Sequence, residues 1–417
     1  MSRFGKLPAT LPGDRSAPSG TNMTRGIRRF PTELLSMIFE EALQEPKHHL
    51  YRSPHVASTR QDVEVPWKQY SNTLLTLVAV CRQWRETAFA TSALWSTLHT
   101  PASTRAHPKS KDNTHQYIAL QLEHCGTRTL TLFEADLSLH RMIFDMLRRR
   151  QAHERVRRLH LWNHGNRVGY RAGAVHYPFL EELFVAGLNE SDLETLVATY
   201  ENPRHITVRR CVKIRDYAAP TRLAALGQLE SLTLRDFPIE TVLAWVQSVF
   251  KIAPMLRLLK LHSSHANDSR WNPVPLDPES AFEISLSLRK LVLGDLVAQT
   301  HTEELLLGLP NLEVLQFVYA IQHGAIVDDS PKLLAREQPG SMRTTLLVPR
   351  LRVVSYHNAT LLHEDLQGLV EARSRFCWGT LQAIQLSNVS IMDGDTVSER
   401  GVEMPDGMKM EGWQSPW

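Results

Sequence analysis

Along most of the chain an apolar residue is followed by two variable ones and then by apolar-x-apolar, and the unit keeps returning. Clear copies are Val156-x-x-Leu159-x-Leu161, Leu180-x-x-Leu183-x-Val185, Leu229-x-x-Leu232-x-Leu234 and Leu256-x-x-Leu259-x-Leu261. Further copies are Leu288-x-x-Leu291-x-Leu293, Leu312-x-x-Leu315-x-Phe317, Leu351-x-x-Val354-x-Tyr356 and Leu381-x-x-Ile384-x-Leu386, with weaker ones at Leu130-x-Leu132 and Ile206-x-Val208. Alternation of period two marks a strand with one buried face. The anchors at 130, 159, 183, 206, 232, 259, 291, 315, 354 and 384 are 23 to 39 residues apart. Helical spacing fills the gaps: Leu193 to Tyr200, and Glu240 to Ala253 with Val242, Leu243, Val246, Val249 and Phe250 on one face. Strand, turn and helix in succession predict an α/β fold with a parallel sheet and outer helices. Burial of each inward Leu contributes about 1.5–3 kcal/mol, available only if neighbouring units stack.

The period averages about 28 residues, at the upper end of the roughly 20–29 expected of leucine-rich repeats, which line a horseshoe with their strands. Such repeats usually carry Asn or Cys three residues after the last strand leucine. Here that slot holds His164, Leu188, Cys211, Phe237, Ser264, Leu296, Ala320, Ala359 and Val389. Only Cys211 conforms, so the array, placed at 117–390, reads as degenerate. The longest interval contains Asp328-Asp329-Ser330-Pro331 and Gln338-Pro339-Gly340, which predict a surface loop.

Residues 28–98 follow a different pattern. Leu34, Leu35, Ile38, Phe39, Ala42 and Leu43 recur at helical spacing behind Pro31, suited to a first turn, and Glu33, which complements the helix dipole. A second segment runs from Leu74 to Phe89, followed by Leu94-Trp95-Ser96-Thr97-Leu98, a closing turn or short strand. Between them, 44–71 is polar and carries Pro46, Pro54 and Pro66, which predicts an insertion looped out between helices. Three short helices bury little alone, so the module calls for a partner.

The series Phe30-Pro31-x-Glu33-Leu34-Leu35-x-x-Ile38-Phe39, Leu77-x-x-Val80-Cys81-x-x-Trp84-Arg85-x-x-Ala88 and Leu94-Trp95 resembles the F-box of fungal F-box proteins of basidiomycete type. It departs at Phe30, where leucine is usual, at Ala93, where proline often stands, and in the insertion. The resemblance covers about a sixth of the chain and implies docking on a Skp-type adaptor within a cullin–RING ubiquitin ligase, by an apolar helical face seated in a helical groove. By motif position the implied adaptor contacts are Phe30, Pro31, Leu34, Leu35, Ile38, Val80, Cys81 and Trp84. For Trp84 and Val80, packing in the module's own core stands as the alternative. For the whole chain, the alternative is a ligase-independent repeat scaffold.

Residues flanking the strand leucines point to the opposite, concave face, where a protein substrate would lie. They include His160, Trp162, Phe184, Arg209, Arg235, Lys260, His262, Gln316, His357 and Gln385. Basic and histidine side chains gather mid-array, densest at Arg209, Arg210 and Lys213, and suit an acidic or phosphorylated segment. A solvated face of mixed polar residues is the competing account.

Composition narrows the partners. With 47 basic and 44 acidic residues among 417, the net charge is +3, too small to point to nucleic acid. No run approaches the roughly 18 apolar residues of a membrane span. Residues 1–27 form a basic tail whose prolines and glycines predict disorder, and 1–29 lack the apolar stretch of a secretory signal. Cys81, Cys125, Cys211 and Cys377 are scattered, arguing against disulfides or zinc and for a cytoplasmic or nuclear location. No phosphate-binding loop, nucleophile elbow or HExxH occurs, and His363-Glu364-Asp365, His262-x-x-His265 with Asp268, and His48-His49 fall short of a metal site. The reading is a non-catalytic adaptor without cofactor, with a linker at 99–116 and a tail or cap at 391–417.

Overall fold

The computed structural model describes residues 30–56, 60–100, 108–134, 140–162, 175–187, 199–200, 203–209, 226–237, 239–263, 285–294, 302–319, 328–336, 346–376, 380–393, 396–397, 404 and 408–411. Helices α1 (Thr32–Val56), α2 (Arg60–Ala79) and α3 (Arg82–Ala90) open the chain, and a 3-10 turn at Ser92–Trp95 leads into strand β1 (Thr97–Thr100). There follow α4 (Pro108–His124), β2 (Leu130–Glu134), α5 (His140–Arg149), β3 (Val156–Trp162), β4 (Glu182–Ala186), β5 (His205–Arg209) and β6 (Ser231–Phe237). Next come α6 (Ile239–Ile252), β7 (Leu258–Ser263), β8 (Lys290–Gly294), α7 (Thr302–Leu307), β9 (Val314–Val318) and α8 (Ser330–Ala335). The last are β10 (Val353–His357), β11 (Thr360–Leu362), α9 (His363–Phe376), β12 (Ala383–Ser387), β13 (Ser390–Asp393), β14 (Thr396–Val397) and β15 (Lys409–Glu411).

Twelve of these strands form one parallel sheet in chain order, β1 to β10, then β12 and β15; β11, β13 and β14 make a small second sheet. The repeated anchor is the register. Leu98, Leu132, Leu159, Leu183, Ile206, Leu232, Leu259, Leu291, Leu315, Val354, Ile384 and Met410 pair strand to strand in one unbroken row. The helices bury their apolar stripes in the same core, with Ile118 and Leu122 on α4, Ile143 and Leu147 on α5, Val242, Val246 and Val249 on α6, and Leu366, Leu369 and Val370 on α9.

The second inward row runs Leu161, Val185, Val208, Leu234, Leu261, Leu293, Phe317, Tyr356, Leu386, but opens at β2 with Glu134. That carboxylate is fully buried, and its Oε2 lies 2.5 Å from His140 Nδ1. A buried carboxyl group needs such a hydrogen-bonding partner.

The register corrects four expectations. The β2 anchor is Leu132 rather than Leu130, because a bulge follows Leu130 and puts Leu132 opposite Leu159. The segment 44–71 is helical at 44–56 and 60–71 rather than looped out: each proline removes one backbone donor, and α1 and α2 pack along each other through Leu35, Phe39, Leu43, Tyr70, Leu74 and Leu77. The span 99–116 holds the end of β1 and the start of α4, so the helical module runs straight into the sheet through the pairing of β1 with β2. Ser330-Pro331 opens helix α8, with Asp328 buried and accepting from the Ser330 amide at 2.8 Å; residues 337–340 lie outside the described residues.

The tail caps the sheet in its described part, since β15 pairs with β12. Of the helix expected at 193–200 only 199–200 are among the described residues, and the basic tail at 1–27 lies outside them.

The expected Asn/Cys slot is filled one residue earlier. Two residues past the last inward anchor, Gly187, Asp236, Asn358 and Asn388 adopt φ of 74°, 62°, 56° and 55°. Gly lacks the Cβ that clashes there, and Asn and Asp are the side chains that tolerate it best. Asn358 Nδ2 donates to the Tyr319 carbonyl at 2.8 Å, and Asn388 Nδ2 to Asn358 Oδ1 at 2.9 Å. An asparagine turn ladder therefore exists at this end of the sheet.

Candidate functional site

The apolar face of α1 divides in two. Leu35, Phe39 and Leu43, four residues apart, are buried against α2 and α3. Phe30, Leu34, Met37 and Ile38 turn outward, 41%, 44%, 67% and 45% exposed, and Val80 at the α2–α3 junction is 52% exposed. Gln83 Nε2 donates to the Phe30 carbonyl at 3.1 Å, bringing the two ends of this patch together. Ser36 Oγ, 2.9 Å from Thr91 Oγ1, fixes α1 against the end of α3.

Of the eight implied adaptor contacts, Phe30, Pro31, Leu34, Ile38 and Val80 are exposed and Cys81 is half-buried at the N-cap of α3. Leu35 is withdrawn: it faces the core. Trp84 is half-buried with its ring 4.9 Å from Phe39, and its indole N–H is buried without an acceptor among the described residues. Trp84 thus sits on the module's core while Val80 does not. Met37 was missed, although its spacing of three from Leu34 places it on the same stripe.

The outer face of the sheet collects the other predicted residues in two rows. His99, Phe133, His160, Phe184, Thr207, Thr233, Lys260, Val292, Gln316, Ser355, Gln385 and Glu411 form one. Trp162, Ala186, Arg209, Arg235, His262, Gly294, Val318, His357 and Ser387 form the next.

The N-terminal third of this face is filled. His160 stacks between Phe133 and Phe184, at 4.3 and 5.6 Å, and Trp162 stacks on Phe184 at 6.0 Å. Arg209 lies 5.9 Å over Trp162, and its Nε is 2.5 Å from Asp236 Oδ2. His160, Trp162, Phe184 and Arg209 are all buried, so the structure withdraws them as open ligand contacts. Aromatic stacking and an internal ion pair consume them. Arg210 and Lys213 lie outside the described residues.

The middle of the face is different. Arg235 on β6, Lys260 on β7 and Lys290 on β8 descend diagonally, each one strand over and two residues back, a step of about 8 Å. All three are half-buried. Lys260 and Lys290 make no ion pair among the described residues. Burial, then Lys290, then Arg235 hold the Lys260 ammonium below its ordinary pKa. Burial, reinforced by Arg235, lowers His262 to about 4. His262 packs so closely over Gly294 that a Cβ there would meet its Nδ1. His357 is also lowered, by burial and by Lys290, and its neutral Nε2 accepts from Gln316 Nε2 at 2.8 Å. Lys290 was missed because it precedes the β8 anchor instead of flanking it on the far side. Cations on fixed strands with neutral hydrogen-bonding neighbours are equipped to hold an anion.

Among the described residues no group of three His, Cys, Asp or Glu could hold a metal ion, and no helix is long and apolar enough to cross a membrane. His265 and Asp268 lie outside the described residues. No family model matches the chain, and no curated protein matches its sequence.

Proposed function

We propose that the chain is a substrate-recruiting subunit of a cullin–RING ubiquitin ligase, an F-box protein whose helical module docks a Skp-type adaptor and whose leucine-rich-repeat sheet takes the protein to be ubiquitylated. One observation carries the reading: α1 keeps Leu35, Phe39 and Leu43 for its own core and turns Leu34, Met37 and Ile38 outward beside Phe30 and Val80. A stripe of large apolar side chains on a helix already anchored from behind suits a helix-in-groove contact, and exposed apolar patches of this kind mark interaction sites. The Arg235–Lys260–Lys290 diagonal would meet an acidic or phosphorylated segment of the substrate.

The test is co-purification of the full chain with the Skp-type adaptor. Ile38→Glu puts a carboxylate on the exposed stripe and should weaken the complex on the order of a hundredfold, as expected for a central interface anchor, with the melting transition unchanged. Phe39→Glu, one residue on, should unfold the module instead. If the wild-type chain does not bind the adaptor, the ligase reading fails and a ligase-independent scaffold takes its place.

A further inference from the structure

Arg157 near the start of β3 and the residue just ahead of each of β4 to β10 and β12 form a row of their own across the strand starts. In order these are Arg157, Glu181, Arg204, Glu230, Arg257, Arg289, Glu313, Arg352 and Gln382, each amide donating to the preceding member's carbonyl at 2.7–3.0 Å. Neighbours therefore sit one strand spacing apart, about 4.8 Å, and their side chains pair along the row. Arg157 meets Glu181 at 3.7 Å, Arg204 meets Glu230 at 3.7 Å, Arg289 meets Glu313 at 3.6 Å, and Arg352 Nη2 donates to Gln382 Oε1 at 3.2 Å.

Nine members make four pairs and leave Arg257. Where the alternation would put a glutamate after it, the row has Arg289, already engaged with Glu313. Arg157 and Arg289 also donate from Nη1 to the carbonyl just before the next unit's first anchor, Phe179 at 2.9 Å and Asn311 at 3.0 Å. Arg257 makes neither an ion pair nor that bond among the described residues. Its exposed guanidinium keeps its fork of donors available.

The surroundings combine the Arg289–Glu313 pair with two exposed apolar side chains. Arg257 borders a cavity of about 280 Å³ with Pro254, Met255, Ser287, Arg289 and Glu313. Met255 and Leu286 are 47% and 64% exposed. The Leu286 backbone is held, its carbonyl accepting from Asn311 Nδ2 at 3.0 Å, so this apolar group projects from a fixed base. The comparable Phe179 lies under the Arg157 guanidinium, 4.9 Å from its ring.

We infer that Arg257, with Met255 and Leu286, is a docking point for a partner-protein segment that carries a carboxylate beside an apolar side chain. The segment's carboxylate completes the row at its one arginine without a side-chain partner among the described residues, bidentate on the guanidinium, and its apolar neighbour covers Met255 and Leu286. This site is at the strand starts, separate from the helical stripe and from the Lys260 face, and does not rest on the ligase reading.

The test uses the full chain and a fluorescein-labelled peptide with one glutamate between two leucines, followed by anisotropy. Wild type should bind it at least about tenfold more tightly than the same peptide with glutamine, the worth of a well-formed charged pair. Arg257→Glu should lose the glutamate peptide and gain the lysine counterpart. Met255→Ser with Leu286→Ser should weaken both wild-type complexes. Equal binding of the glutamate and glutamine peptides, undiminished binding by Arg257→Glu, or no binding by wild type would overturn the proposal. So would self-association of the wild type abolished by Arg257→Glu, which would make the occupant a second copy of the chain.

Discussion

His99 shows what a single buried ring costs this fold. It stands at the start of the outer row, edge-on to Tyr70 at 5.8 Å and to Tyr117 at 5.2 Å, with Ser71 Oγ at its Nε2. Burial pushes its pKa down from 6.5 to about 4. A base whose folded pKa is depressed contributes stability that is complete above its unfolded pKa and lost as pH falls. The window therefore runs from about pH 6.5 down to about pH 4, and unfolding is favoured there because only the unfolded chain takes up the proton. At about 1.4 kcal/mol per pH unit the loss from His99 is on the order of 3 kcal/mol, and His262, shifted the same way, adds to it in the same window. Urea titrations at pH 7.5 and 4.5 should show this loss in wild type and a distinctly smaller one in His99→Gln. An identical pH dependence in the two proteins would show that the ring is not held neutral in the fold.

At the scale of elements, the turns after the strands decide how evenly the units stack. Asn358 and Asn388 combine left-handed backbone with an amide bond to the neighbouring turn. Asn358→Ala removes the bond donated to the Tyr319 carbonyl and the bond accepted from Asn388 Nδ2, and leaves a Cβ-bearing residue without side-chain help in positive φ, costing about 1–3 kcal/mol. Asn358→Gly relieves the strain and loses only those two bonds, so it should fall between wild type and Ala in denaturant midpoint. If Ala and Gly behave alike, strain plays no part there. The sequence placed the strands well because the inward anchors obey a period of two within a longer period that survives its irregularities. It hid these turns because the expected slot is counted three residues from the last leucine and here the turn closes one residue sooner. The helices of 44–71 were hidden for another reason: Pro46, Pro54 and Pro66 read as breaks, although the packing of α1 on α2 outweighs the lost donors. The closing segment Leu94 to Leu98, read as a turn or short strand, is both: a 3-10 turn at Ser92–Trp95 and then β1, whose single inward leucine, Leu98, pairs with Leu132 of β2.

Across the whole molecule, the outer face of the sheet is uneven in a way that no list of flanking residues could reveal. The face holds stacked aromatics on β2 to β4 and, along a diagonal, three mutually repelling cations on β6 to β8, because occupancy depends on which neighbours lie one strand away. Arg209 looked like the centre of the basic cluster, yet Asp236, placed by a bulge after Arg235, neutralises it. The uncompensated charge therefore moves toward Lys260. Among the groups that hold the Lys260 ammonium below its ordinary pKa, Lys290 acts more strongly than Arg235. Lys290→Gln should accordingly raise the Lys260 pKa more than Arg235→Gln does, and inorganic phosphate should raise it in the wild type by supplying the missing negative charge. NMR titration of isotopically dimethylated lysines, with Lys260→Arg to assign the resonance, measures all three. If neither substitution moves the resonance and phosphate leaves it unchanged, the diagonal is only a solvated face, and an anionic segment has no reason to choose it.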